Sequence, residues 1–302
     1  MFSDFLDKQT LTSVSSTLQN VTFYPYFDVV SYTLAALAVR QELGAETLKF
    51  SRKHPLSCWL STMVVAFAGG FVSNFLLGNA IISPFLNNRE VLVATFVWYL
   101  VFYTPFDLFY KVVTFTPLKL VLVVAKEIQR TKKVYTGVVQ AQALFPDAYL
   151  VQMLIGTSKG AGAGIIKVFE RLIRGTWAPH SHEGLNPSFL TKACLMSALI
   201  FTFQRNGIFY DYADFNLIYL CIAVFLVQHK ARTVLFGAND TFLPIENKVC
   251  QLFIGEYMDK IEEGPNNSFL INEDYTKKLD LNNNILPEPV KGNKKKNKAK
   301  KD

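Results

Sequence analysis

The residues most capable of doing chemistry lie in one run, Lys126-Glu-Ile-Gln-Arg-Thr-Lys-Lys133, set inside an otherwise apolar stretch. At about 100° per residue, Lys126, Arg130 and Lys133 fall within about 60° of one another on one helical face. If that helix enters the bilayer near Pro117, Arg130 lies about 20 Å along it, near the middle. Each such cation costs ~2.5–3.5 kcal/mol at that depth, so three on one face must meet water, carboxylates or a phosphate. Glu127 offsets one charge. The alternative is a helix that begins later, with Lys126 snorkelling and Lys132 and Lys133 in a loop.

Two glycine groups accompany the cations: Phe67-Ala-Gly69-Gly70, and Lys159-Gly160-Ala-Gly162-Ala-Gly164. Glycine allows close helix approach, and allows a helix to bend where it lines a polar cavity. Lys159 brings another cation to membrane depth beside the second group. The candidate pore or gating residues are therefore Lys126, Arg130, Lys159, Gly69, Gly70, Gly160, Gly162 and Gly164. His180-x-His182 with Glu183 lacks a third ligand at useful spacing and has no adjacent nucleophile, so neither a metal site nor an intramembrane enzyme is expected.

The elements that must position these residues are membrane-spanning helices. Half of the 302 residues are hydrophobic, 18% are charged, and mean hydropathy is +0.21, which excludes an ordinary soluble domain. Spans of roughly 20 apolar residues are read at Pro55 to Gly78, at Val91 to Phe106 extending through Asp107 and Phe109, at Ala148 to Ile166 and at Phe215 to Val227. Three more, each carrying charge, are read at Tyr24 to Val39, Pro117 to about Leu144 and Phe189 to Phe203, giving seven. Lys and Arg favour cytoplasmic loops. Arg40, Lys49, Arg52, Lys53, Lys111, Lys119, Lys167, Arg171 and Arg174 against Lys8, Arg89 and Arg205 place the N-terminus in the lumen and the C-terminus in the cytoplasm.

Residues 1–23 then form a lumenal N-terminus, 24–232 the transmembrane domain, and 233–302 a largely disordered basic cytoplasmic tail. The tail carries much of the net charge of +7, and a basic end on an apolar body is not the pattern of a nucleic-acid binder. The end Lys298-Ala-Lys300-Lys301-Asp302 fits a dilysine retrieval signal, or a lysine-rich tail that matches by chance. No cleavable signal peptide is evident. Neither Asn20-Val-Thr, beside the first span, nor Asn266-Asn-Ser, in the tail, is expected to be glycosylated. Of the four cysteines, Cys58, Cys194, Cys221 and Cys250, three fall in apolar runs and read as buried hydrophobes.

Glycines fall in the middle helix of spans one to three and again of spans four to six, as in an inverted repeat with its site at the midplane. An ion channel, a secondary transporter and a lipid-binding scaffold all fit that geometry, though a scaffold leaves the glycines unexplained.

Leu56-Ser-Cys-Trp-Leu60, Val97-Trp-Tyr-Leu100, Pro105-Phe-Asp-Leu-Phe-Tyr-Lys111, Lys126 to Val134, Lys159-Gly-Ala-Gly162, Phe169-Glu-Arg-Leu-Ile-Arg-Gly-Thr-Trp177 and Phe201-Thr-Phe-Gln204 occur in order. In these stretches the chain resembles the trimeric intracellular cation (TRIC) channels, type B-like. The resemblance implies an all-α membrane protein of seven helices, built as two inverted three-helix repeats plus a seventh. It implies a homotrimer with a pore in each subunit, conducting potassium ions across the endoplasmic or sarcoplasmic reticulum membrane. That flux would balance charge while calcium-release channels open. It further implies that the lipid phosphatidylinositol 4,5-bisphosphate binds at Lys126 and Arg130, with no other cofactor. The fifth-span glycines depart from the family in reading Gly-Ala-Gly-Ala-Gly, and the tail from Leu243 onward lies outside the resemblance.

Overall fold

The structure, a computed structural model, describes residues 8–20, 25–176, 187–208 and 214–237, together with Phe242, Pro244, Lys248 and Leu252. The His180–His182 motif, Cys250 and the dilysine-like end lie outside the described residues. The chain divides into two units, Met1–Glu246 and Asn247–Asp302. All the elements below belong to the first.

Twelve α-helices are present among the described residues. The first, α1 (Lys8–Asn20), is followed by α2 (Tyr26–Leu43), the short α3 (Thr47–Lys53), and the pair α4 (Pro55–Ala66) and α5 (Ala68–Leu77). Next come α6 (Asn88–Tyr103), α7 (Leu108–Thr114), the long α8 (Thr116–Leu144), α9 (Tyr149–Ile165), the short α10 (Lys167–Ile173), α11 (Phe189–Arg205) and α12 (Phe215–Phe236). By length and composition, α12 alone among the described helices suffices to cross a membrane; α4 with α5, bent by 61°, and α6 with the segment Pro105–Thr114, bent by 92°, reach that standard as pairs. Helix α8 is long enough but carries the charged run, and α9 is apolar but 17 residues long.

Two breaks shape the first half. At Phe67 (φ −101°, ψ 8°) the helix started by Pro55 ends and α5 begins at a new angle. The second break corrects the sequence expectation, because the third span does not extend through Asp107 and Phe109. Pro105 cannot continue α6 and forces Thr104 into an extended conformation (φ −61°, ψ 132°). Phe106 and Asp107 then take positive φ, 57° and 55°, a region that side chains other than glycine rarely occupy. Arg40 of α2 holds this corner: its guanidinium pairs with Asp107 at 2.9 Å, donates to the Val101 carbonyl and lies 3.9 Å from the centre of the Tyr110 ring.

Buried side chains form two clusters. One draws on α2, α4, α5, α6 and α7, with Tyr32, Leu37, Met63, Phe71, Val101 and Phe102 among its members. The other draws on α8, α9, α11 and α12, with Val134, Val138, Phe201, Tyr219 and Leu226. The seam between the halves is made by α5 against α9 and by α2 against α8.

The sequence reading did not foresee α1. Its sequence KQTLTSVSSTLQN is mostly polar, yet the helix packs on α12. Ser15 is fully buried, and Gln19 donates to Asn216 at 2.9 Å. Helix α12 runs to Phe236, where Gly237 (φ 62°) ends it. Cys58 and Cys194 are buried as expected, while Cys221 is exposed on α12.

Candidate functional site

Helix α8 begins at Thr116 with Pro117 in its first turn, and runs unbroken through Lys126–Lys133. The proline suits that position because the first amide has no intrahelical acceptor. The charged run is therefore a helical face inside the fold, and the later-starting helix with a loop at Lys132 and Lys133 is excluded. That face looks into a cavity of about 580 Å³ between the two halves. Lys126, Arg130, Lys133, Lys159, Gly69, Gly70, Gly160 and Gly162 all line it. Of the candidate residues Gly164 does not; it sits half-buried near the end of α9.

The two glycine groups meet each other. A Cβ built on Gly69 would lie 2.5 Å from the Lys159 carbonyl oxygen, and one on Gly162 would lie 2.6 Å from the Gly69 Cα. On Gly160 it would lie 2.4 Å from Val134 Cγ2 and 2.9 Å from Cys194 Sγ. Gly160 and Gly162 therefore serve close packing against α5, α8 and α11, and α9 runs unbroken to Ile165, just past Gly164. The bend in the second span falls at Phe67, beside Ala68-Gly69-Gly70.

Within the cavity the cations differ in state. Arg130, 8% exposed, donates through Nε to Glu127 at 2.8 Å and through a terminal nitrogen to the Gly160 carbonyl. Glu127 is 1% exposed and committed to that pair. Lys159 donates to Gln140 at 2.5 Å. Lys126, Lys133 and Lys230 line the cavity with no carboxylate within 4 Å among the described residues. Several ammonium groups without a carboxylate partner are chemically suited to an anion.

Sequence reasoning missed three charged lining residues as members of the site. Lys230 comes from the last third of α12, Asp28 from the first turn of α2 and Glu90 from the first turn of α6. Asp28 accepts from Gln129 at 2.6 Å, and Glu90 accepts from Asn87 at 2.7 Å and Tyr32 at 3.4 Å. Asp28 was visible as the one acid within the apolar run from Tyr24 to Val39. Glu90 and Lys230 stand at span ends, where a charge ordinarily faces water. Among the described residues, no group of three or more His, Cys, Asp or Glu side chains could hold a metal ion.

Comparison with known proteins fits this geometry. The TRIC channel family matches residues 44–237. The chain is 44% identical over 283 residues to the trimeric intracellular cation channel type 1B.2 of Caenorhabditis elegans, covering 94% of this chain and 88% of that protein. It is 37% identical over 229 residues to the type B channel of Danio rerio, covering 76% and 78%. The solved structure of a trimeric intracellular cation channel from C. elegans in the absence of Ca2+ superposes with a TM-score of 0.73 at 46% identity, covering 78% of this chain and 100% of that one. A second solved structure, described as showing the basis for activity of TRIC counter-ion channels in calcium release, superposes at 0.70 with 32% identity, covering 75% and 100%. The chain therefore belongs to the TRIC channel family, all-helical membrane proteins that conduct cations.

Proposed function

We propose that this chain is a potassium-conducting channel of the endoplasmic or sarcoplasmic reticulum membrane, supplying counter-ion flux while calcium-release channels open. It works as a homotrimer with one conduction path per subunit, and a phosphoinositide headgroup at Lys126 and Arg130 stabilises or gates that path. The observation that carries this reading is convergence: the cationic face of α8 and both glycine groups line a single cavity on the seam between the halves. In this reading the seven spans are α2, α4 with α5, α6, α8, α9, α11 and α12. The first three and the next three are inverted repeats, the N-terminus is lumenal and the C-terminus cytoplasmic. Two buried clusters, one for each half, support the repeat.

Lys126 is the freer of the two lipid ligands, because Arg130 already holds Glu127 and the Gly160 carbonyl. A guanidinium has five N–H donors, so the rest remain for a phosphate. Purified protein in planar bilayers under a potassium gradient tests the function. Unitary currents reversing near the potassium potential are expected, whereas slow saturable flux coupled to a second ion would make the protein a secondary transporter. Lys126→Gln should weaken binding to vesicles containing phosphatidylinositol 4,5-bisphosphate by about tenfold and change open probability. If both quantities stay at wild-type values, the lipid assignment is wrong.

A further inference from the structure

We infer that Asp28 and Glu90 set the cation preference of the conduction path. This rests on the channel reading above and adds the residues responsible for charge selection. Among the described residues, the charged groups lining the cavity are Lys126, Arg130, Lys133, Lys159 and Lys230 on one side of the balance, and Asp28, Glu90 and Glu127 on the other. By that balance the cavity repels a passing cation. Glu127 offers nothing against this, since it is 1% exposed and its charge is spent on Arg130. The negative charge a permeating cation meets comes from the other two carboxylates.

Their hydrogen bonds fit that role. Asp28 accepts from the Gln129 amide and Glu90 from the Asn87 amide and the Tyr32 hydroxyl, all neutral donors that fix each carboxylate without cancelling its charge. Among the described residues neither carboxylate has a cation within 4 Å. A first-turn acid is common simply because it complements the helix dipole. That accounts for an acid at the start of α2 and of α6, but not for both side chains facing one cavity, held by donors from α8 and α2. Along α8, Lys133 follows Gln129, which holds Asp28, by one helical turn, and it lines the same cavity. Lys133 is thus the local antagonist of the two carboxylates, and a phosphate headgroup on Lys126 and Lys230 would leave this end of the path to them.

The test is the reversal potential of single channels in asymmetric potassium chloride, read as the potassium-to-chloride permeability ratio. Asp28→Asn with Glu90→Gln keeps oxygens for the same neutral donors and removes both charges, so the ratio should fall by about tenfold. Lys133→Gln should raise it. If the double variant does not assemble, Glu90→Gln alone carries the test, because its partners stay satisfied by an amide oxygen. A wild-type ratio in the conducting carboxylate variants overturns the inference while leaving the channel intact. Wild-type protein that passes no current overturns the channel reading itself, and this inference with it.

Discussion

Arg130 and Lys126 stand one helical turn apart on the same face, yet they do different physical work. Arg130 is buried and ties α8 to α9 through the Gly160 carbonyl, and its charge is balanced by Glu127. Its removal leaves a carboxylate that is 1% exposed with no cation beside it. Breaking a buried pair from one side costs on the order of 3–5 kcal/mol. Arg130→Gln should therefore lower the thermal unfolding midpoint of detergent-purified protein sharply, and adding Glu127→Gln should restore part of it. Lys126→Gln, at a half-buried position with no carboxylate partner among the described residues, should change stability by no more than about 0.5 kcal/mol and so barely move the midpoint. Equal destabilisation by the two single variants would show that Arg130 is not the structural member of the pair.

At the level of elements, the seam between α5 and α9 is set by atoms that glycine lacks. A methyl on Gly162 would press on the Gly69 Cα at 2.6 Å, which is backbone, so relief requires two helices to separate. On Gly160 the nearest obstacles are the Val134 and Cys194 side chains, which can give way at lower cost. Gly162→Ala should thus destabilise more than Gly160→Ala, and the latter, at about 1–3 kcal/mol, should be partly rescued by Val134→Ala. The opposite ranking in thermal melts would place the tight contact elsewhere. This seam was legible in the sequence because glycines and intramembrane cations both have few reasons to be there, and the two signals coincide at Lys159-Gly160. Helix α1 was not legible, since it is short and mostly polar, and Leu18 packing on the second cluster is joined by buried Ser15 and by Gln19 reaching Asn216. The corner after α6 was written in Pro105, but the apolar residues around it, Phe102, Phe106 and Phe109, disguise a turn as more span.

For the whole molecule, the two halves must be held in register if a path is to run between them, and the glycine seam is not their sole tie. Glu42, near the end of α2, pairs with Lys167 and with Arg171 at 3.4 Å and Arg174 at 2.5 Å, so the last turn of the first span holds the helix that follows α9. Arg174 is shared with Glu170 of α10 at 2.5 Å, and the Ile173 carbonyl accepts from Ser57 of α4. The sequence placed these cations on one side of the membrane by their sign alone; what it hid was that one carboxylate from the first half gathers three of them from the second. The Glu42 side chain is 26% exposed, so each pair is screened and worth little by itself. A network around one carboxylate resists removal more than its pairs suggest. Glu42→Gln should cost about 1 kcal/mol, and Glu42→Lys, which sets a fourth cation among three, should cost more. Both losses should shrink at high ionic strength, since the contacts lie near water. Thermal unfolding of wild type and both variants in low and in molar salt reads this directly. Identical midpoints for the charge-reversed variant and wild type at low salt would show that the glycine seam carries the register by itself.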